Sequence, residues 1–163
     1  MVKIDTLFKK KIISRINELE LGRYLNFFEN SYLENVEHCK KSLMEFPRWS
    51  IISGYYSMHD ITKLLIAKKF MIKIDFKVHL TTIQVLSELI KNKELAVNLE
   101  KGYKEFLTLA NDLDEAKKER TKAQYYTGTA FMKEEYKKRA IEFLKNVENY
   151  IDKIRGLIND MAI

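Results

Sequence analysis

Turn-forming residues are scarce in this chain: one proline and five glycines in 163 residues. That scarcity excludes an all-β sandwich, which needs turn signals every 8–12 residues or so. It favours long helices joined by short connections. Cysteine is nearly missing too. Cys39 stands alone, so no disulfide framework can form within the chain, and a reducing cytoplasm fits. With no Cys-x-x-Cys partner it reads as a small core or boundary residue. One cysteine and three histidines are too few for a structural zinc site. Apolar runs are broken by Lys or Asp well short of about 18 residues. The lysine cluster Lys9 to Lys11 leads into no apolar signal region. These lacks predict a cytoplasmic protein with no membrane segment.

What is present is ordinary for a soluble domain: 46% hydrophobic and 32% charged residues, in a length that suits one domain with a sizeable core. The formal charge is +6 and the pI about 9.2. Basic proteins often meet nucleic acid. Here lysines alternate with acids and arginine is scarce, so a solvated helix face is the first reading and a nucleic-acid stripe the second.

Apolar spacing at steps of three and four predicts helices throughout. Ile4, Leu7, Phe8, Ile12, Ile16 and Leu19 place one amphipathic helix over Asp5 to Glu20, either packed on the bundle or presenting a basic face to a membrane surface or partner. Gly22 marks a break or a weak spot. Tyr24, Phe27, Phe28, Tyr32, Val36, Cys39 and Leu43 continue the pattern from Arg23 to about Phe46. Pro47 then stops that helix or opens the next. The third helix, to about Phe70, should be the most buried. Around Met71 to Val78 the apolar residues alternate, predicting an extended connector with Asp75 as the following cap. A helix to Lys91, a turn or short helix over Asn92 to Asn98, a long helix from Leu99 to Tyr126, a stop at Thr127 to Thr129, and a last helix from Phe131 to Asp160 complete the chain. The expectation is an all-α antiparallel up-down bundle of five or six helices. Residues 1–21 form an N-terminal amphipathic helix packed on a bundle domain of residues 22–163.

Strong catalytic signatures are missing. There is no phosphate loop and no Gly-x-Ser-x-Gly elbow. A di-iron bundle needs Glu-x-x-His pairs, and the residues three before His38, His59 and His79 are Asn35, Tyr56 and Phe76. No metal and no cofactor are expected. Two segments about sixty residues apart carry more. One is Ser53-Gly-Tyr-Tyr-Ser-Met-His-Asp60, and the other is Arg120-Thr-Lys-Ala-Gln-Tyr-Tyr126. Together they resemble the signature stretches of the HEPN superfamily (higher eukaryotes and prokaryotes nucleotide-binding), a Tyr-Tyr-Ala-Met-like helix and a late Arg-x-x-Ala-Asp-Tyr helix end. Gln124 takes the family's Asp position. The resemblance covers about Tyr24 to Tyr150.

The resemblance implies a HEPN-like bundle and a homodimer whose late motif faces the cleft between protomers. In the ribonuclease branch of the family, Arg is followed four to six residues later by His. Here those positions hold Tyr125, Tyr126 and Thr127. Tyrosine, with an unperturbed pKa near 10 against about 6.5 for histidine, is a poor proton shuttle at neutral pH. It can donate a hydrogen bond or stack on a base. Arg120 therefore keeps the phosphate-holding half of the motif, or else pairs with a surface acid such as Glu119 or Asp112. Tyr55 with His59, and Tyr56 with Asp60, lie one turn apart and suit a polar network behind the cleft. His59 is the candidate substitute imidazole from the neighbouring helix. His79 resembles the family's histidine that opens the helix after the Tyr-Tyr helix, and His38 sits among exposed charges.

The leading expectation is an RNA- or nucleotide-interacting HEPN protein, the partner of a small nucleotidyltransferase in a toxin–antitoxin-like pair. Arg120, Gln124, Tyr125, Tyr126 and Tyr56 are its binding residues, with Tyr125 or Tyr126 as modification candidates. A non-catalytic dimeric interaction module is the alternative. A metal-independent ribonuclease using Arg120 with His59 or a tyrosine is the third reading, and the missing motif histidine leans against an enzyme.

Overall fold

The computed structural model describes the backbone of residues 3–122 and 129–160, and the side chains of residues 3–109 and 134–160. Among the described residues the fold is all-α apart from one short ribbon. The elements are α1 (Ile4–Lys9), β1 (Ile13–Arg15), α2 (Glu18–Ser42), α3 (Pro47–Phe70), β2 (Ile72–Ile74), α4 (Val78–Ile90), α5 (Lys93–Lys122) and α6 (Thr129–Asn159).

The N-terminal segment departs from the single helix expected there. Lys11 turns the chain at φ 54°, and Ile12 to Ile16 is rich in β-branched residues, which pack well on a pleated surface. β1 pairs antiparallel with β2, Ile13 opposite Ile74 and Arg15 opposite Ile72. The next helix starts at Glu18, ahead of Gly22, because the Asn17 side chain accepts from the Leu19 amide at 3.0 Å and caps it. Gly22 lies inside α2 and breaks nothing. Leu7, Ile13, Ile66, Ile72, Ile74 and Val85 form a small apolar cluster under this strap.

Other boundaries follow local chemistry. Pro47 occupies the first turn of α3, where its missing N–H costs nothing. The alternating connector is β2. Asp75 does not cap α4: its Oδ2 accepts instead from Ser14 Oγ at 2.7 Å, tying β2 back to β1, and Lys77, at φ 49°, precedes the helix. Residues Asn92 to Asn98 form no separate turn. The Asn92 side chain accepts from the Leu95 amide at 3.2 Å, so α5 begins at Lys93, six residues ahead of Leu99.

Helix α3 is the hub, contacting α2, α4, α5 and α6, and most of its residues are buried. Pairings give the directions. On α2 and α3, Cys39 meets Ser50 while Ser31 meets Asp60, so these helices are antiparallel. On α5 and α6, Glu105 pairs with Arg139 and Glu94 with Lys153, again antiparallel. On α3 and α4 the contacts advance together, Tyr55 with His79 and His59 with Thr82. β2 thus carries the chain back along α3, so that α4 restarts beside Tyr55. The main core gathers Tyr55, Ile61, Leu65, Leu99, Val147, Tyr150 and Ile154 between α3, α5 and α6.

Candidate functional site: a ring cluster beside a buried histidine–aspartate pair

Mid-way along α3, the Tyr-Tyr segment places consecutive side chains toward different neighbours. Tyr55 is fully buried. Its hydroxyl lies 2.6 Å from His79 Nδ1 at the start of α4, and its ring stacks on Phe106 of α5 at 5.2 Å between centroids. Burial pushes its phenol pKa well up, so it stays protonated. Tyr56, one residue on, is half-buried. It meets Phe106 edge-on at 5.7 Å and His79 at 6.0 Å. His79 in turn stacks on Tyr103 at 5.3 Å with the planes 13° apart. Tyr56, His79, Tyr103 and Phe106 are all half-buried, so three helices present one patch of rings partly open to solvent. Gly102 allows α5 this close: a Cβ there would meet Met58 Sδ at 3.3 Å and Tyr55 Cδ2 at 3.4 Å.

Behind the rings lies a second, polar layer. His59 is 4% exposed and Asp60 7%, and both are satisfied. Asp60 Oδ2 accepts from Ser31 Oγ at 2.7 Å and Asn35 Nδ2 at 3.3 Å, both on α2. Asp60 Oδ1 is 3.2 Å from His59 Nδ1. His59 Nε2 is 3.3 Å from Thr82 Oγ1, whose own proton goes to the Val78 carbonyl at 2.7 Å. The pair therefore clamps α2, α3 and α4, and no described buried side-chain polar atom lacks a partner. Lys63, one turn beyond His59, lays its ammonium 4.3 Å from the Phe28 ring centroid. Burial lowers its pKa, against the pull of Asp60 and Asp75. His79 is also held below the usual histidine range, first by burial, then by His59 and Lys63.

The structure brings two of the sequence-derived site residues together. Tyr56 and His59 touch, with ring centroids 6.5 Å apart, but Tyr56 reaches solvent while His59 has both nitrogens engaged within the fold. Arg120 lies in the last turns of α5, and its side chain is outside the described residues, as are Gln124, Tyr125 and Tyr126 altogether. The expected polar network exists with different partners: Tyr55 bonds His79 rather than His59, and Asp60 bonds α2 rather than Tyr56. His79, read from the sequence as a helix opener, is central to the ring cluster, as are Tyr103 and Phe106, which the sequence places on the long helix from Leu99 with no mark of a site. A helix stripe containing adjacent aromatics at Tyr103 and Phe106 was the available signal. His38 is exposed, with Nδ1 3.0 Å from Ser53 Oγ, and Cys39 is buried.

Among the described residues no group of three or more His, Cys, Asp or Glu side chains could hold a metal ion. No described helix is long and apolar enough to cross a membrane. The chain matches no protein-family model and no curated protein.

Proposed function

We propose that this chain is a HEPN-type protein that interacts with RNA or a nucleotide, working as a cytoplasmic homodimer beside a small nucleotidyltransferase in a toxin–antitoxin-like pair. The observation that carries the reading is the half-buried ring patch of Tyr56, His79, Tyr103 and Phe106, which is partly open to solvent. Aromatic rings open to solvent are stacking surfaces for bases, each worth about 1–3 kcal/mol. Tyr103 and Phe106 also lie on the helix that carries Arg120, fourteen residues or about four turns beyond Phe106. In this reading the rings hold a base and Arg120, with Gln124, Tyr125 and Tyr126, supplies phosphate contacts and the modification candidates.

Binding of a fluorescent single-stranded RNA to wild type, Tyr56→Ala and Arg120→Ala tests the reading. It expects weakened binding in both variants, and co-expression with the transferase should add nucleotide mass on Tyr125 or Tyr126. Wild type that binds no RNA and gains no mass leaves the non-catalytic interaction module, which the engagement of both His59 nitrogens favours. The third reading, a metal-independent ribonuclease using Arg120 and His59, requires His59 to leave Asp60 and Thr82. Metal-free cleavage that disappears in Arg120→Ala would establish it.

A further inference from the structure

His79 is packed against five rings: Tyr55, Tyr56 and His59 on α3, and Tyr103 and Phe106 on α5. Its plane is therefore fixed before any ligand arrives. Its two nitrogens differ. Nδ1 faces the Tyr55 hydroxyl at 2.6 Å. The Tyr55 phenol is fully buried, and His79 Nδ1 is its hydrogen-bond partner. If Nδ1 carried the proton, the phenol's own hydrogen would be left buried with no acceptor, which carries the full desolvation cost of that group. The phenol therefore donates to Nδ1, and the neutral ring carries its proton on Nε2.

Nε2 is the open end. It makes no hydrogen bond within the described fold, while every described buried side-chain nitrogen and oxygen has a partner, so Nε2 reaches solvent. A fixed neutral N–H donor thus emerges at the edge of a patch of half-buried rings. A ring patch alone binds any π-face. A donor set beside it reads an acceptor on that ring's edge, such as a purine ring nitrogen or a pyrimidine carbonyl.

We propose that His79 is the recognition residue of this patch, with Nε2–H donating to an acceptor on the edge of a nucleobase while Tyr56, Tyr103 and Phe106 carry its face, and with Tyr55 as the positioning residue that fixes the tautomer. The proposal rests on the nucleotide reading above and deepens it by naming the ligand's chemistry: an aromatic heterocycle with an exposed acceptor, from a free nucleotide or an unpaired strand. His59 has no such role, because its nitrogens face Asp60 and Thr82.

The test combines binding with the state of the ring. Probes are adenosine monophosphate and a short single-stranded oligoadenylate, titrated against wild type, His79→Gln, His79→Phe, Tyr55→Phe and Tyr56→Ala. The nitrogen-15 shifts of His79 are followed in wild type and Tyr55→Phe. The expected result is a wild-type ring protonated at Nε2, whose Nε2 signal moves on adding probe. His79→Gln, which keeps a donor, binds within about threefold of wild type, and His79→Phe, which keeps only a ring, loses about tenfold, the factor carried by one neutral hydrogen bond. Tyr55→Phe, which removes only a hydroxyl buried behind the patch, shifts the tautomer toward Nδ1–H and weakens binding. Tighter binding of the oligoadenylate than of the monophosphate assigns the strand as ligand, and the reverse assigns the free nucleotide. His79→Phe that binds like wild type while Tyr56→Ala is weakened overturns the proposal and leaves the nucleotide reading standing. A wild-type ring protonated at Nδ1 overturns it equally. Folded wild type that binds neither probe removes both.

Discussion

Single residues set tolerances here that differ sharply between chemically identical positions. Gly54 sits where α2, α3 and α6 converge, and an added Cβ would meet Cys39 Sγ at 3.0 Å, Val147 Cγ2 at 3.1 Å and Phe143 Cε1 at 3.2 Å. Gly22 and Gly156 have nothing within 4 Å of that position. Gly54→Ala should therefore lose about 1–3 kcal/mol by overpacking, whereas Gly22→Ala and Gly156→Ala should each gain about 0.5–1 kcal/mol of helix propensity. Urea titration of the three variants decides this, and a Gly54→Ala as stable as wild type would mean the three helices separate easily. The opposite exchange applies at Lys91, which ends α4 at φ 55°. Glycine removes a left-handed cost of about 1–2 kcal/mol at the expense of about 0.5–1 kcal/mol of chain entropy, so Lys91→Gly should raise stability by about 0.5 kcal/mol in the same titration. Residue types give partial warning: Ser53 and Gly54 are small enough for a neighbouring helix to come close, but nothing in the sequence distinguishes Lys91 from its exposed neighbours. A left-handed residue is chosen by where the chain must go next.

Elements were legible where one physical signal ruled. Helix α3 was predictable because apolar residues surround it and Pro47 fixes its start. β2 was visible in its alternation of Ile72 and Ile74 with lysine. β1 was hidden, since Ile12, Ile13 and Ile16 fit a helical stripe as well as a strand, and the partner that selects the strand lies sixty residues on. The clamp at Asp60 was half visible: its neighbours within α3 can be counted by turns, but Ser31, Asn35 and Thr82 come from elements whose register no local pattern states. Asp60→Ala would strand the Ser31 and Asn35 donors together with His59 Nδ1. A loss of about 2–4 kcal/mol is expected, measured as a lowered thermal midpoint with α2 amides exchanging faster. Unchanged exchange in α2 would show that the helix is held by its apolar face alone. The ring patch was legible as aromatic residues and illegible as a site, because Tyr103 and Phe106 reach His79 only once β2 has returned the chain beside α3.

For the whole molecule, the histidine shift sets an acid limit. His79 binds its proton less readily when folded than at its ordinary value near 6.5, so below about that pH the unfolded chain takes up more protons. Stability from this group is complete above pH 6.5 and is lost as the pH falls toward the folded value. His79→Gln loses ring packing and the Tyr55 acceptor at every pH, and on top of that offset it should flatten the fall in stability below about pH 6.5, as read from the slope of denaturant midpoints against pH. A slope equal to that of wild type would place the acid sensitivity elsewhere. The formal charge of +6 contributes repulsion as carboxylates protonate, and that background is common to both proteins.

The pairing of Ile13 with Ile74 also dictates an order of events during synthesis. The first strand leaves the ribosome with nothing to pair with, and its partner follows some sixty residues later. At about 5–20 residues per second, Leu7, Ile13 and their apolar neighbours spend several seconds uncovered before the ribbon can close. The amino-terminal stretch is thus made first and folded late, and a newly made chain meets its cell with that stretch still open to whatever binds apolar segments.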